Sequence, residues 1–261
     1  MGERGDEKMS RWHVFVVPKR LKWYLLMALC VIILLSVYHV YPLGIYTISL
    51  GNQDVIYDIM LDPGHGGIDP GAIGAGDLYE KHYVLDIVLQ MADILRSSGL
   101  KVGVTREADV DVSHLVSEGT RHRRDLLGRL KLMGQAHMGM SIHTNSTKNK
   151  EESGAIVFYM KDQYIDAVYA QLVLEELEKV QVINEPRPIP RSTLLLLKAK
   201  PPVVLVELGF MSNPGDLEKL GDPQFRTNVA HALCAGLLRF IDWRYGEQSE
   251  FSSQARPRAA E

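Results

Sequence analysis

PVVLVE, Pro202 to Glu207, is an unbroken apolar run that closes on an acid. A strand covered on both faces reads this way, whereas a strand with one wet face alternates apolar and polar residues. Outward from it, strand-like and helix-like stretches take turns. Val55–Leu61 (VIYDIML) is a short apolar run ending at Asp62-Pro63-Gly64. Val84, Ile87, Val88, Met91, Ile94 and Leu95 recur at helical spacing, with Gly99 as the stop. Leu100–Thr105, Met138–His143 and Gly154–Met160 read as further strands. Arg121–Met133 reads as a helix whose basic residues, Arg121, Arg123, Arg124, Arg129 and Lys131, form a solvated face. Asp166–Val180 reads as a helix with Val168, Leu172, Val173, Leu177 and Val180 inward, and Phe225–Trp243 as an amphipathic helix with Cys234 in the core. The alternation predicts an α/β sheet with helices on both faces. It also places any site at the carboxyl ends of the strands.

The chain has 261 residues, 46% hydrophobic and 23% charged, which suits one sizeable core. Lys and Arg number 29 against 32 Asp and Glu. No nucleic-acid partner is expected, because such binders carry a basic excess. Two cysteines, Cys30 and Cys234, exclude a disulfide framework and a Cys-rich zinc site. Trp23 to Val40 contains no Asp, Glu, Lys or Arg, and as a helix it spans about 27 Å, close to the thickness of a bilayer core. Lys19, Arg20 and Lys22 precede it, and no Lys or Arg follows before Lys81. The positive-inside bias then gives a basic cytoplasmic N-terminus (1–22), a transmembrane signal-anchor (23–41), a stalk (42–54), an exported domain (55–246) and a disordered tail (247–261). The alternative is a cleaved signal peptide, with Thr47-Ile48-Ser49 as the passable site, which makes the domain secreted. Either way its work lies outside the cytoplasmic membrane.

Four polar residues stand where the edge rule looks for chemistry. His65 follows the first strand in Asp62-Pro63-Gly64-His65-Gly66-Gly67, His143 ends Met140-Ser141-Ile142-His143, and Glu207 closes the apolar run. Glu80 begins a helix after a loop containing Gly71, Gly74 and Gly76. Two imidazoles and one carboxylate make a three-ligand zinc set that leaves a position for water or substrate. A second carboxylate is then needed to take and return a proton. Spacing leaves open which glutamate does which. Plainer readings exist for each. His65 suits a loop, His143 suits a sheet edge, and Glu80 suits the positive end of a helix dipole. Glu207 is different, since an acid directly after PVVLV needs a partner or a role. The glycine loop lacks the phosphate-binding patterns.

The stretch MLDPGHGGIDPGAIG, the Glu80-Lys81 pair, SIHTN and VELGFMSN, in this order, resemble the zinc-dependent N-acetylmuramoyl-L-alanine amidases over roughly residues 55–245. The resemblance implies an open, twisted, mixed sheet flanked by helices, related to zinc carboxypeptidases. It implies one zinc ion on His65, Glu80 and His143, with Glu207 as the catalytic glutamate. It implies peptidoglycan as substrate, cut at the amide between the lactyl group of N-acetylmuramic acid and L-alanine. Asp62 either orients a ligand histidine or begins the Asp-Pro-Gly turn. Met133-Gly134 departs from the Ala-Asn often found there, and Asn184–Lys200, weakly matched, is expected to shape the substrate groove. An anchor with a bare catalytic domain is similar in layout to the spore-cortex amidases of germination, and it leaves room for an exported activator protein as partner. Two other readings are a zinc carboxypeptidase-type peptidase and a non-catalytic wall-binding protein dependent on a partner.

Overall fold

A computed structural model of the chain describes residues 55–246, together with Tyr24 and Met27. The basic N-terminus, the rest of the signal-anchor, the stalk and the tail lie outside the described residues. Among the described residues no helix is long and apolar enough to cross a membrane.

In chain order the elements are β1 (Tyr57–Pro63), β2 (Ile73–Gly74), β3 (Leu78–Tyr79), α1 (Glu80–Ser97), β4 (Val102–Val104), α2 (Arg121–Met133), β5 (Ala136–Asn145), β6 (Ile156–Met160), α3 (Tyr164–Leu177), β7 (Ile189–Arg191), β8 (Val203–Phe210), α4 (Pro214–Gly221) and α5 (Pro223–Tyr245). Six strands form one sheet in the order β4-β1-β5-β8-β6-β7. β4, β1, β5 and β8 run parallel, β6 is antiparallel to β8, and β7 is parallel to β6, so the sheet is mixed. The PVVLVE run becomes β8, an interior strand hydrogen-bonded on both sides, as its pattern requires.

The two-residue alternation of a strand sorts side chains to the two faces. Ile59, Leu61, Met138, Met140, Ile142, Val204 and Val206 face one side, where they pack with Val84, Ile87 and Met91 of α1, Tyr169 and Val173 of α3, and Leu233 and Phe240 of α5. Met60, Val203 and Leu205 face the other, with Met133 at the end of α2 and Leu196 and Leu197 of a short 3-10 turn. Each fully buried large apolar side chain contributes about 1.5–3 kcal/mol. α1 stops where expected: Gly99 takes φ 90°, and the Leu100 amide donates back to the Leu95 carbonyl.

Two expectations need correction. In α3, Val173 and Leu177 are buried as read and Leu172 packs half-buried against the core, but the stripe is completed by Tyr169, Ala170 and Leu174 rather than by Val168, and Val180 falls beyond the helix, exposed. Tyr169 joins the stripe with its ring stacked on Phe240 at 4.2 Å, and no apolar count anticipates that pairing. In α2, Arg129 is not part of a solvated face. It is 2% exposed and ion-paired to Asp62 at 2.7 Å and to Asp125 at 2.9 Å.

Register aligns the carboxyl ends of three parallel strands. Pro63 pairs with Ile142 and His143 pairs with Glu207. Leu205 packs on the α2 side, so Glu207, two residues on, faces that side too. Every candidate residue therefore meets this one edge or the loops that leave it.

Candidate metal centre

β1 ends in Asp62-Pro63, and the chain then turns sharply. His65, Gly66 and Gly67 have φ values of 59°, 122° and 59°. For histidine that is an uncommon backbone state, held only where the surroundings fix it. Gly64 lies directly under His143: a Cβ on it would stand 2.2 Å from His143 Cε1. Gly71 similarly leaves space for Glu80, whose Oε2 would be 2.5 Å from an added Cβ. These glycines allow three segments distant in sequence to close on one point.

Glu80 is the first residue of α1 and only 1% exposed. Its Oε2 accepts from the Ala72 amide at 2.7 Å, and its Oε1 from the Thr144 amide at 2.8 Å. The same Oε1 lies 3.3 Å from His65 Nε2 and 3.2 Å from His143 Nδ1, and the two nitrogens are 3.2 Å apart. Burial opposes the charge on Glu80, but the two imidazoles outweigh it and hold the carboxyl below the usual carboxylate range. His65 sits between two carboxylates, with its Nδ1 3.0 Å from Asp69 Oδ2. Burial works against its protonation, yet Glu80 and Asp69 push it up to about 9. The pocket thus favours positive charge.

The fit of a zinc ion is testable on these distances. In a tetrahedral site with bonds of about 2.0–2.1 Å, neighbouring ligand atoms are about 3.3–3.4 Å apart. The three edges here are 3.2, 3.2 and 3.3 Å, from imidazole, imidazole and carboxylate. Among the described residues, this trio is the group of His, Cys, Asp or Glu able to grip an ion. The residues present fit the group.

Glu207 stands beside them in β8. Its Oε2 is buried without a hydrogen-bond partner. Burial, with Glu80 nearby, pushes its pKa up to about 7, against the opposing pull of His143 and His65. A carboxyl group with that proton affinity suits acid–base work at neutral pH. The structure therefore brings together all four residues singled out from the sequence.

Three further residues support the site and escaped that reading. Asp69 is the carboxylate beside the far nitrogen of His65, so it favours the tautomer that leaves Nε2 free as a ligand. Its signal was its place four residues after His65. Asp62 does not perform this task. It is fully buried and accepts from Thr105 Oγ1 at 2.5 Å, Ser141 Oγ at 2.6 Å and Arg129 at 2.7 Å. Burial would raise its pKa, but Arg129 and the two hydroxyls keep it below the usual carboxylate range. Arg106 and Arg129, both buried, bond to the turn that carries His65. Of the weakly matched segment, Leu196 lines a pocket together with His65, Asp69, His122, Leu126 and His143.

Comparison with known proteins gives the family. The family described as N-acetylmuramoyl-L-alanine amidase matches residues 59–239. The germination-specific N-acetylmuramoyl-L-alanine amidase of Bacillus subtilis (strain 168) is 35% identical, over 70% of this chain and 79% of that protein. Among solved structures, the CwlD amidase from Clostridioides difficile, in complex with the GerS lipoprotein, superposes with a TM-score of 0.66 at 33% identity, covering 72% of this chain and 99% of that one. The AmiC2 amidase of Nostoc punctiforme superposes with a TM-score of 0.58 at 29% identity, covering 70% and 96%.

Proposed function

We propose, on the premise that this chain belongs to the N-acetylmuramoyl-L-alanine amidase family, that His65, Glu80 and His143 hold one zinc ion and that Glu207 moves the proton. The chain is a hydrolase of the amide between N-acetylmuramic acid and L-alanine in peptidoglycan. Its residues divide the work as follows. Substrate reaches the site at the carboxyl edge of β1, β5 and β8, where the His65 and His143 side chains are partly exposed. Zinc, when bound, supplies Lewis acidity toward the amide carbonyl and acidifies water to a pKa of about 7. Glu207 Oε2, buried and unpartnered, accepts the proton of the attacking water. The water oxygen bonds to the lactyl carbonyl carbon, the carbon–nitrogen bond breaks, and Glu207 returns the proton to the leaving alanine nitrogen. Asp69 keeps the His65 ring in one orientation throughout.

The observation that carries this reading is the triangle of ligand atoms beside Glu207 on the adjacent strand, whose buried Oε2 has no hydrogen-bond partner. The carboxypeptidase alternative is separated by mass analysis of peptidoglycan digested with the zinc-loaded full chain. Release of intact stem peptides is expected, and stems shortened at their C-termini would refute it.

Residues 23–41 act, in the same proposal, as an anchor that presents the domain outside the cytoplasmic membrane. A role in germination is supported by the name of the Bacillus subtilis relative. An exported activator is supported by the lipoprotein complex of the Clostridioides difficile relative. Membrane fractionation with N-terminal sequencing tests the anchor; a mature N-terminus near Leu50 would refute it.

A further inference from the structure

The turn that carries His65 leaves the sheet after one last ladder bond, from the Gly64 amide to the Ile142 carbonyl. Its next carbonyls have no strand partner, and buried carbonyls need donors. Two arginines supply them. Arg106, just beyond β4, donates from Nε to the Pro63 carbonyl at 3.0 Å and from Nη2 to the Gly64 carbonyl at 2.7 Å. The same Nη2 donates to the Lys81 carbonyl at 2.9 Å, one residue past Glu80. Arg129, in α2, donates from Nη1 to the Pro63 carbonyl at 2.8 Å and from Nη2 to the His65 carbonyl. It is tied in turn to Asp62 and Asp125. Three consecutive carbonyls, Pro63, Gly64 and His65, are thus gripped by two planar forks, and one fork also holds the start of α1. Arg106 and Arg129 are 3% and 2% exposed, so neither guanidinium is available to substrate. Like charges buried together oppose folding, yet the chain buries both under the one turn that carries a ligand in a left-handed conformation.

We propose that Arg106 and Arg129 are positioning residues that pre-form the metal site. They hold the His65 turn and the Glu80 end of α1 at fixed separation before any ion binds, and so set metal affinity rather than substrate affinity. This rests on the zinc-site reading above. Arg106 is the informative position because its fork spans both ligand-bearing segments. Lysine there keeps the charge but offers one point of donation instead of a fork.

The test measures zinc affinity by chelator competition on the full chain, stripped of metal, for wild type, Arg106→Lys and Arg239→Ala. Arg239 pairs with Glu175 and Glu176 on the surface, so its removal reports a stability loss unrelated to the turn. Arg106→Lys is expected to bind zinc about 10- to 100-fold more weakly, with KM unchanged and turnover recovered in excess zinc. Arg239→Ala is expected to bind as wild type. Equal affinity in a folded Arg106→Lys overturns the proposal, whereas a wild type that binds no zinc overturns the site reading instead. Should Arg106→Lys not fold, hydrogen exchange on metal-free wild type decides. Slow exchange at residues 64–67 supports a pre-formed turn, and exchange at unprotected rates overturns it.

Discussion

Replacing Gly64 by alanine adds a single methyl group, and the structure says where it goes. The new Cβ would lie 2.2 Å from His143 Cε1, 2.5 Å from Nδ1 and 2.6 Å from Nε2. Carbon atoms pack at about 3.5–4.0 Å, so the ring has to withdraw by more than about 1 Å. Metal–ligand distances tolerate about 0.2 Å, so His143 ceases to be a ligand. The backbone is not at fault, because Gly64 is not among the residues with positive φ. Overpacking typically costs about 1–3 kcal/mol. The lower end is expected here, since the His143 side chain is 19% exposed and has a way out toward solvent. Gly64→Ala should therefore stay folded, lose zinc on dialysis, and fall at least about 100-fold in release of stem peptides. Added to His143→Ala it should change zinc affinity no further, because the ring it displaces is already absent. Gly221→Ala is the control, as its Cβ would meet nothing within 4 Å. The assay is zinc per chain, peptide release at fixed zinc, and metal-free Tm. A Gly64→Ala chain with wild-type zinc affinity and wild-type turnover would refute the reasoning.

Glu207→Gln should keep its zinc and lose activity by about 100- to 10,000-fold; wild-type turnover on muropeptides would remove the proton-transfer role. Asp69→Asn should weaken zinc binding by about 10- to 100-fold, read by chelator competition, with unchanged affinity as the contrary result. The pH dependence of stability follows from Asp62, whose folded pKa lies below its ordinary 3.8. Its contribution is complete above that value and is lost as pH falls through the depressed folded pKa. Denaturant titrations of the metal-free chain should show stability rising with pH up to about 4 and Asp62 adding no slope through neutrality. An Asp62→Asn chain with the same acid slope as wild type would contradict this.

The strands and the catalytic edge were legible because apolar runs and their terminal residues are local signals. PVVLVE announces an interior strand, and Asp62-Pro63-Gly64 announces a turn at its edge. His65, Glu80, His143 and Glu207 were legible as chemistry by residue type and position, while their division into ligands and proton carrier came from the family motifs. Arg129 was not legible: on a helix with four other basic residues, nothing local distinguishes the cation that meets Asp62, 67 positions away. Arg106 escaped for the same reason, since its partners are backbone carbonyls of a distant turn. Two-residue strands such as β2 and β3 carry too few side chains for any alternation to show. On α3, Val173 and Leu177 were legible as inward, whereas Tyr169 was not, since its place depends on the distant ring of Phe240.

The central claim is that three side chains grip one zinc ion while a fourth stays free of it. Elemental analysis of purified, dialysed chains tests it most directly. One zinc per chain is expected in wild type and in Glu207→Gln, and none in His65→Ala or His143→Ala. Full zinc in both histidine variants would contradict the account.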